Sequence, residues 1–382
     1  MTNKNKLAYV TYQSFPAETA NSLQSITNIV ELAKQGIDVE LVFPKRENTC
    51  SDDIEKLKNF YNFETSFKVT MLKHNLPFKK VAIFEKLIFH ISHFLWSRQA
   101  VKYIQNNKNH DAYITRSDWI FFFLAKNNAN VIFECHQPSR IRKFVLSRCL
   151  LKRNAKVIFL NKNLFEIYKK YIIFEENVTI LENGYRDDLF DKEIPKNKNQ
   201  IVFVGQLLRF GSGRNLDFII SCFESESLND FNLIIVGGPE EYVELIKNKK
   251  GSNIPDNVTF LGRLNHDKTI QVMLQSDIGI LINSSKNIHS TKFTSPLKYF
   301  EYLAAGLKII AVDFDSHRKL PFSDNILFFE ENNKSAFIDA IKKIKETSPI
   351  EKDLYSNFSL SNRSRKLIEF ARLEGLEPPT LW

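Results

Sequence analysis

The sequence predicts an α/β protein of two Rossmann-like domains whose parallel sheets face each other across a central cleft. Short apolar runs typical of buried strands alternate with helical patterns from end to end, which favours parallel sheets. The polar linker Pro195–Asn199 divides the alternation in the middle of a chain of 382 residues, long enough for two domains. Since such sheets bind ligands at the carboxyl ends of their strands, we expect the site between the two domains.

The first half opens with a strand and a helix. Leu7–Tyr12 is an apolar run, and Leu23, Ile26 and Val30 then recur at helical spacing until Gly36 ends the helix. Further strands of this half are predicted at Asp38–Phe43, Ala112–Thr115, Val131–Glu134, Lys156–Leu160 and Val178–Leu181. Residues 1–190 therefore form the predicted first domain.

The second half repeats the alternation after the linker. Its predicted strands are Ile201–Gly205, Leu233–Gly237, Val258–Leu261, Ile278–Ile282, Ile309–Val312 and Ile326–Phe329. Residues 191–355 form the predicted second domain. Residues 356–382 are predicted as a helix at Ser361–Leu373, placed to pack back across the domains towards the first, and an irregular tail at 374–382.

Composition excludes several classes of protein. The chain is 43% hydrophobic and 25% charged, which is typical of a globular protein. Its densest apolar run, Trp119–Ala125, is too short to span a membrane, the first residues do not resemble a secretory signal, and four scattered cysteines argue against disulfides or a zinc site. We therefore expect a protein of the reducing cytoplasm.

The net charge of +9 favours an anionic partner. Phosphates, nucleotides and anionic lipids all fit, and a lysine-rich surface that only keeps the protein soluble fits equally well. We expect no nucleic-acid partner, because no nucleic-acid motif is present.

The segment Ser295–Gly306 predicts a helix with both ends marked. Ser295 can cap it, Pro296 suits its first position, and Gly306 can close its carboxyl end. Glu301 lies four residues after Leu297 and so falls on the apolar stripe, where a carboxylate is costly unless something binds it. The helix therefore predicts a ligand site, with N–H groups for an anion and a carboxylate for hydroxyl groups.

The loop Gly205–Asn215 follows the first strand of the second domain. Its glycines and its cations Arg209 and Arg214 suit a diphosphate. Its spacing matches neither a Walker loop nor the dinucleotide fingerprint. The alternative is a flexible loop with exposed arginines.

Two polar segments of the first half also follow predicted strands. Glu134-Cys135-His136 ends one strand, although a lone histidine is more often structural than functional. Phe15–Ser22 precedes the first helix and brings Ala20, Asn21 and Ser22 to its amino end. An ordinary loop capped by Thr19 or Asn21 explains that segment equally well.

Two further segments mix basic and apolar residues. Phe78–Gln105 and Ser139–Lys156 could lie on an anionic membrane surface. Helices packed on the sheet with a solvated basic face are the commoner explanation.

Taken in order along nearly the whole chain, these motifs resemble the family-4 retaining glycosyltransferases of the GT-B fold, in particular bacterial members that build surface polysaccharides. The segments that carry the resemblance are Phe15–Gln24, Phe133–His136, Glu182–Tyr185 with Phe190, Val204–Leu207, Val236–Pro239, Asn257–Gly262 and Ser295–Gly306.

The resemblance implies residue roles. Glu301 would hold the nucleotide ribose, and the loop at Gly205 and Gln206 with the amides around Ser295, Pro296 and Leu297 would bind the donor phosphates. His136 would face the transferred sugar. Arg209, Arg214 and Lys298 would stabilise the leaving phosphates.

The chain departs from the family pattern at three places. Phe293 stands where the first glutamate of the Glu-x7-Glu pair is expected, and Gln206 replaces the usual arginine. The usual Lys-Gly corresponds to Arg214-Asn215, so Arg209 or Arg214 would supply the missing charge.

The activity implied is transfer of a sugar, with retained configuration, from a nucleotide-diphosphate sugar of the UDP or GDP type to a hydroxyl of a glycan or lipid-linked acceptor. The first domain would bind the acceptor and the second the donor, with no metal and no cofactor beyond the donor. The protein would be cytoplasmic, with peripheral contact at the inner membrane. The alternatives are a nucleotide-sugar epimerase of the same fold and an inactive nucleotide-binding partner in a glycan-assembly complex.

Overall fold

The computed structural model describes residues 5–74, 85–107, 110–192, 194–209, 212–251 and 254–371. The predicted tail at 374–382, residues 78–84 of the first basic segment, and Gly211 lie outside these ranges. The chain forms two compact units. The first unit runs to Glu182 and resumes at Leu360, whereas the second comprises Asn183–Ser359.

The first unit is built on a seven-stranded parallel sheet of order β3-β2-β1-β4-β5-β6-β7. Its strands are β1 (Lys6–Val10), β2 (Asp38–Lys45), β3 (Lys68–Lys73), β4 (Ala112–Thr115), β5 (Val131–Cys135), β6 (Ala155–Phe159) and β7 (Val178–Ile180). Its helices before the second unit are α1 (Ala20–Lys34), α2 (Ile54–Tyr61), α3 (Glu85–Asn106), α4 (Asp118–Lys126), α5 (Arg140–Cys149) and α6 (Lys162–Tyr168). The central strands are buried and mostly apolar, with exceptions such as Thr115 and Glu134, because helices cover both faces of a parallel sheet.

The second unit is built on a six-stranded parallel sheet of order β12-β11-β8-β13-β14-β15. Its strands are β8 (Gln200–Val204), β9 (Leu208–Arg209), β10 (Ser212–Gly213), β11 (Asn232–Val236), β12 (Val258–Gly262), β13 (Ile278–Leu281), β14 (Lys308–Val312) and β15 (Ile326–Phe329), of which β9 and β10 form a separate antiparallel pair. Its helices are α7 (Leu216–Cys222), α8 (Glu240–Lys250), α9 (His266–Gln275), α10 (Leu297–Ala304), α11 (Asp315–Arg318), α12 (Lys334–Ile344) and α13 (Lys352–Tyr355).

The last helix, α14 (Leu360–Ala371), belongs to the first unit although it follows the second in sequence. Leu367 and Ala371 are buried in the first unit's core. Arg363, on the same helix, carries its charge into the interior of that unit.

The predicted α/β fold with two parallel sheets is confirmed, and each strand predicted from the sequence is present. Strand β3 and the β9–β10 pair were not predicted. The polar residues Lys68, Thr70 and Lys73 interrupt the apolar run of β3, because this strand lies at the edge of its sheet and is only partly buried. Among the described residues, no helix is long and apolar enough to cross a membrane.

In both sheets the strand order reverses between the first strand and the fourth. The switch lies between β1 and β4 in one unit and between β8 and β13 in the other. Ligands of doubly wound sheets bind outside the carboxyl ends of the strands at this point. We therefore expect a ligand site in each unit at the loops that follow these strands.

Candidate functional site

The glycine loop after β8 is fixed by its neighbour after β11. The N–H of Gly205 donates to the carbonyl of Val236 at 2.9 Å, and the N–H of Gly237 donates to the carbonyl of Gly262 at 2.8 Å. Gly237 has φ of +153°, and a Cβ there would stand 1.9 Å from the Gly205 carbonyl oxygen. Only glycine fits at 237, so the approach of the two loops sets the position of Gly205.

Arg214 lies beside this loop. Its Nη1 is 3.8 Å from the position that a Cβ on Gly205 would occupy, and its backbone N–H donates to the carbonyl of Leu207 at 3.2 Å. The structure therefore brings the predicted residues Gly205 and Arg214 together. Gln206 is exposed between them in sequence, and the side chain of Arg209 lies outside the described part of the chain.

Helix α10 begins one residue later than predicted. Its first residue is Leu297, and Pro296 is the extended residue before it, so Ser295 does not cap the helix. The Ser295 carbonyl accepts a bond from Nδ2 of Asn183 at 2.7 Å, while its Oγ is buried with no hydrogen-bond partner among the described residues. Gly306 closes the other end with φ of +63°, as predicted. The amino end therefore offers the N–H groups of Leu297 and Lys298 and an unbonded hydroxyl.

The side chain of Lys298 is directed into the unit. Its Nζ stands 4.0 Å from the centroid of the Phe203 ring, and the residue is 9% exposed. A desolvated ammonium over an aromatic face is a favourable arrangement. Its predicted contact with donor phosphates stays a prediction.

Glu301 contacts a residue that the sequence analysis missed. Nε2 of His266, the first residue of α9, lies 3.0 Å from Oε1 of Glu301. This pairing explains how a carboxylate is accommodated on the apolar stripe of α10. His266 could have been predicted as a site residue from its position, since it follows the carboxyl end of a strand of the parallel sheet by four residues.

Phe293 occupies the last position of a π-helical turn, His289–Phe293, just before α10. The residue is 8% exposed and so belongs to the buried apolar part of the unit. An apolar side chain that packs inward therefore stands where the resemblance placed a glutamate, so no carboxylate is available at this position.

In the first unit, Arg116 connects two of the predicted segments. It follows β4 and donates from Nη2 to Oδ1 of Asn21 at 3.2 Å and to Nδ1 of His136 at 2.8 Å. Its Nη1 donates to the carbonyl of Asn21 at 3.1 Å and to Oγ of Ser25 at 3.3 Å. Arg116 was not predicted as a site residue, although it directly follows a buried strand, as His136 does.

The protein determines which nitrogen of His136 carries the proton. Because a guanidinium only donates, Nδ1 must accept and the hydrogen lies on Nε2, which faces Oε2 of Glu134 at 3.9 Å. Burial, followed by the charge of Arg116, lowers the pKa of His136 to about 3. His136 is therefore a neutral side chain with both nitrogens directed towards protein groups, and its predicted contact with the transferred sugar stays a prediction.

Glu134 is a buried carboxylate with several partners. It accepts from Nη2 of Arg363 at 2.8 Å and from the hydroxyl of Tyr9 at 3.2 Å. Burial by itself would raise its pKa, but Arg363, His136 and Arg116 outweigh burial and hold the pKa well below its usual range. Arg363 also donates to Oδ1 of Asn28 at 3.1 Å, so α14 supplies the cation that keeps Glu134 ionised.

The predicted acceptor-side residues differ in accessibility. Thr19 caps α1 by accepting from the N–H of Ser22 at 3.1 Å, which decides between the two predicted caps. Ala20 and Asn21 are exposed at the first turn, whereas Ser22 is buried and bonds to Thr19 and to the carbonyl of Ser14. Over the ranges that the structure describes, no group of three histidine, cysteine, aspartate or glutamate side chains is arranged to hold a metal ion.

Residues 185–360 match the family model described as glycosyl transferases group 1. The match covers nearly the whole second unit, including Gly205, Arg214, His266 and Glu301. A comparison with curated proteins finds no significant match.

Solved structures with the same fold extend over the whole chain. Sucrose-phosphate synthase from Thermosynechococcus elongatus is 15% identical, with a TM-score of 0.66 over 96% of this chain and 94% of that one. A glycosyltransferase from Rickettsia africae is 16% identical, with a TM-score of 0.66 over 98% and 100%. HepE from Anabaena, solved with UDP and glucose, is 12% identical, with a TM-score of 0.64 over 96% and 98%.

These likenesses show the fold, which is that of GT-B glycosyltransferase structures with two Rossmann-like halves. Together with the match of residues 185–360, they support glycosyl transfer as the activity.

Proposed function

We propose that this protein is a retaining glycosyltransferase that moves a sugar from a nucleotide-diphosphate sugar of the UDP or GDP type to a hydroxyl of a glycan or lipid-linked acceptor in surface polysaccharide synthesis. The observation that carries the proposal is the second unit's carboxyl edge. There a glycine loop with an adjacent arginine, a helix amino end and a carboxylate on α10 all lie within the segment that matches group 1 glycosyl transferases.

The proposed chemistry follows from the charges of this edge. Departure of the nucleotide diphosphate leaves positive charge on the sugar and adds negative charge to the phosphates. Arg214 and the N–H groups at the start of α10 stabilise the leaving phosphates, and fixed donors of this kind need no reorganisation during the reaction. Glu301 accepts from the ribose hydroxyls. No metal takes part in this proposal.

The test is release of nucleotide from a panel of UDP- and GDP-sugars. We expect Arg214→Ala to lower turnover by about 10²–10³-fold, the usual effect of removing one donor to a developing anion. Glu301→Ala is expected to raise KM for the donor. Arg318→Ala is the matched control, because Arg318 is an exposed arginine of the same unit that pairs with Asp313. Unchanged turnover in both site variants would refute the assignment.

The same panel separates the alternatives. A new nucleotide-sugar formed from donor alone identifies an epimerase, and tight nucleotide binding without turnover across donors and acceptors identifies an inactive binding partner. Comparison of the anomeric configuration of donor and product by NMR tests retention.

We further propose that helices α3, α4 and α5 place the protein on an anionic membrane surface. On α3 the exposed apolar residues Leu87, Ile91 and Leu95 are four residues apart and are continued by the exposed cations Arg98 and Lys102. Apolar residues beside cations suit insertion at the boundary between lipid headgroups and acyl chains.

The neighbouring helices extend this surface. Ring contacts join Phe94 of α3 to Trp119 of α4, and Phe122 of α4 to Phe144 of α5. Exposed cations on α4 and α5 are Lys126, Arg140, Lys143 and Arg148. Among the described side chains of the three helices, the one carboxylate is Asp118, which Arg142 neutralises at 2.7 Å.

Sedimentation with vesicles tests this surface. We expect binding to vesicles that contain anionic lipid and weaker binding to neutral vesicles. Arg140→Glu with Lys143→Glu should weaken binding at low salt, since each cation near the surface contributes about 1 kcal/mol. Ile91→Glu should weaken it at all salt concentrations. Leu245→Glu is the control, because Leu245 is an exposed apolar residue of the second unit, and equal losses in all variants would refute the surface.

A further inference from the structure

The carboxyl edge of the first unit's sheet carries two arginines that form no ion pair with a carboxylate in the described part of the chain. Arg46 directly follows β2 and Arg116 directly follows β4, and β1 lies between these strands. Parallel strands end at the same edge, and two strand spacings separate β2 from β4 by about 10 Å. The two arginines therefore flank the loop after β1, beside the point where the strand order reverses.

Arg46 is partly buried and makes few bonds. Nη1 donates to the carbonyl of Tyr12 at 3.1 Å, and Cζ stands 4.7 Å from the centroid of the Tyr12 ring. Nε is buried without a hydrogen-bond partner among the described residues, and Nη2 bonds to none of them. The carboxylate nearest in sequence, Glu47, is exposed and forms no ion pair within the described ranges. The guanidinium therefore keeps its charge and has donors left for an anion.

Arg116 is bonded more fully, but only to neutral groups. Its four hydrogen bonds go to three residues, Asn21, Ser25 and His136. Burial and the charge of Arg116 lower the pKa of His136 to about 3, so that ring carries no charge. The nearby carboxylate of Glu134 pairs with Arg363 at 2.8 Å. Two guanidinium groups thus face one carboxylate, and one positive charge remains.

The fully buried arginines of the same unit are paired differently. Arg142 lies 2.7 Å from Asp118, just as Arg363 is paired with Glu134. Burial of a cation is costly unless a carboxylate compensates it. Arg46 and Arg116 are only partly buried, so each keeps contact with water that an anionic ligand can replace.

We propose that Arg46 and Arg116 bind a phosphate group of the acceptor, which is then a phosphorylated sugar, either free or linked to a lipid through a diphosphate. This rests on the proposed function, since an acceptor exists only if the protein transfers a sugar. A phosphate monoester carries a charge of about −1.5 to −2 at pH 7, which suits two cations without carboxylate partners. Arginine is well suited to phosphate because its planar guanidinium donates two parallel bonds.

Calorimetry with matched pairs of ligands tests this site, with UDP or GDP present at saturation so that the second unit's edge is occupied. The free ligands are the 1-phosphates and 6-phosphates of glucose, galactose, mannose and N-acetylglucosamine, each paired with its neutral sugar. The lipid-linked ligand is decyl diphosphate N-acetylglucosamine, paired with the decyl glycoside that lacks phosphate. We expect the best phosphorylated ligand to bind at least about tenfold more tightly than its neutral partner. Whether that ligand is free or lipid-linked identifies the source of the phosphate.

Substitutions assign the preference to the two arginines. Arg46→Gln should reduce the ratio of the two affinities by about tenfold, the effect of one hydrogen bond to a charged group, and Arg46→Lys should retain part of it. Arg116→Gln should reduce the ratio by about threefold, because most of its donors are already bonded and it acts mainly through its charge. Lys169→Gln, which removes an exposed cation at the end of α6, should leave the ratio unchanged. The ratio is the readout because general damage lowers both affinities together.

Two results would overturn the proposal. One is equal affinity of the native chain for the phosphorylated and neutral members of every pair. The other is a ratio that stays at the native value in both Arg46→Gln and Arg116→Gln. Failure of the proposed function is seen separately, as absence of nucleotide binding and of sugar transfer from any donor, and the same titrations without nucleotide then decide whether the anion site exists.

Discussion

The candidate sites of the two units differ in how their polar groups are bonded. In the first unit the charged groups Arg116 and Glu134 bond to protein groups on α1, β1 and α14, while Nε2 of His136 is buried without a hydrogen-bond partner among the described residues. In the second, Ser295 Oγ and His266 Nδ1 are buried without partners in the described part of the chain. Charged groups that bond within the protein are held in place before any ligand arrives, whereas a buried atom without a partner can gain a bond from a ligand.

This contrast predicts different costs for charged pairs in the two units. Arg363→Leu removes the cation from Glu134, and both residues are nearly fully buried, at 3% and 1% exposed. We expect the free energy of unfolding to fall by about 3–5 kcal/mol, because the variant leaves a buried carboxylate unpaired. Arg318→Leu breaks an exposed pair of the second unit, which water screens, and should change the free energy of unfolding far less. Urea denaturation followed by circular dichroism measures both.

The double variant Arg363→Leu with Glu134→Gln provides the internal check. It removes the unpaired charge, so part of the lost stability should return. Equal losses in the single and double variants would contradict the explanation by burial of charge.

The sequence located the strand ends that carry these sites but did not identify the partners of their side chains. Glu301 was predicted as a site residue because a carboxylate on the apolar stripe of a helix is unusual. That pattern is visible within a single helix. Arg363 meets Glu134 across 229 residues of sequence, and Arg116 meets Asn21 across 95. Such pairs depend on how β4, β5 and α14 assemble, and a pattern within one helix or strand does not contain that information.

The predicted cap of α10, Ser295, was wrong for a local reason. A serine before a proline was expected to cap, but Pro296 adopts the extended conformation itself, so the helix starts one residue after it. Proline at the cap and proline at the first helical position look alike in sequence. The N–H groups offered to an anion therefore belong to Leu297 and Lys298.

The second prediction concerns pH, and it applies to the first unit. Burial lowers the pKa of His136 and of His93 to about 3 and that of His74 to about 4, with further lowering by Arg116 or Arg46. Because these values are below the unfolded value of about 6.5, the unfolded chain binds protons first. The stability is present above pH 6.5 and is lost as pH falls towards the folded values.

Each histidine should contribute a loss of about 1 kcal/mol between pH 7 and pH 5.5, so the three together contribute about 3 kcal/mol. Urea denaturation followed by tryptophan fluorescence measures this in the first unit, where Trp96 and Trp119 lie. His93→Phe should reduce the slope of stability against pH by about one third. A slope unchanged by that substitution would show that His93 is not among the groups responsible.

The third prediction tests whether the second unit's site depends on its backbone rather than on paired side chains. Gly237→Ala combines a φ of +153° with a Cβ only 1.9 Å from the Gly205 carbonyl, so the loop after β8 must shift. Gly36→Ala in the first unit imposes a similar strain, with φ of +86°, but its Cβ meets no atom within 4 Å. Strain of this kind costs about 1–3 kcal/mol at either position.

Both variants should lose stability, Gly237→Ala more because its clash adds to the strain, but only Gly237→Ala should change nucleotide binding, which calorimetry measures. Gly237→Ala displaces Gly205 and with it the alignment of Arg214, so its affinity for nucleotide should fall. Gly36→Ala should bind as the native chain does. If Gly237→Ala retained full affinity, the close approach of the two glycine loops would matter to the fold alone. The N–H groups of α10 and Glu301 would then have to bind the nucleotide without it.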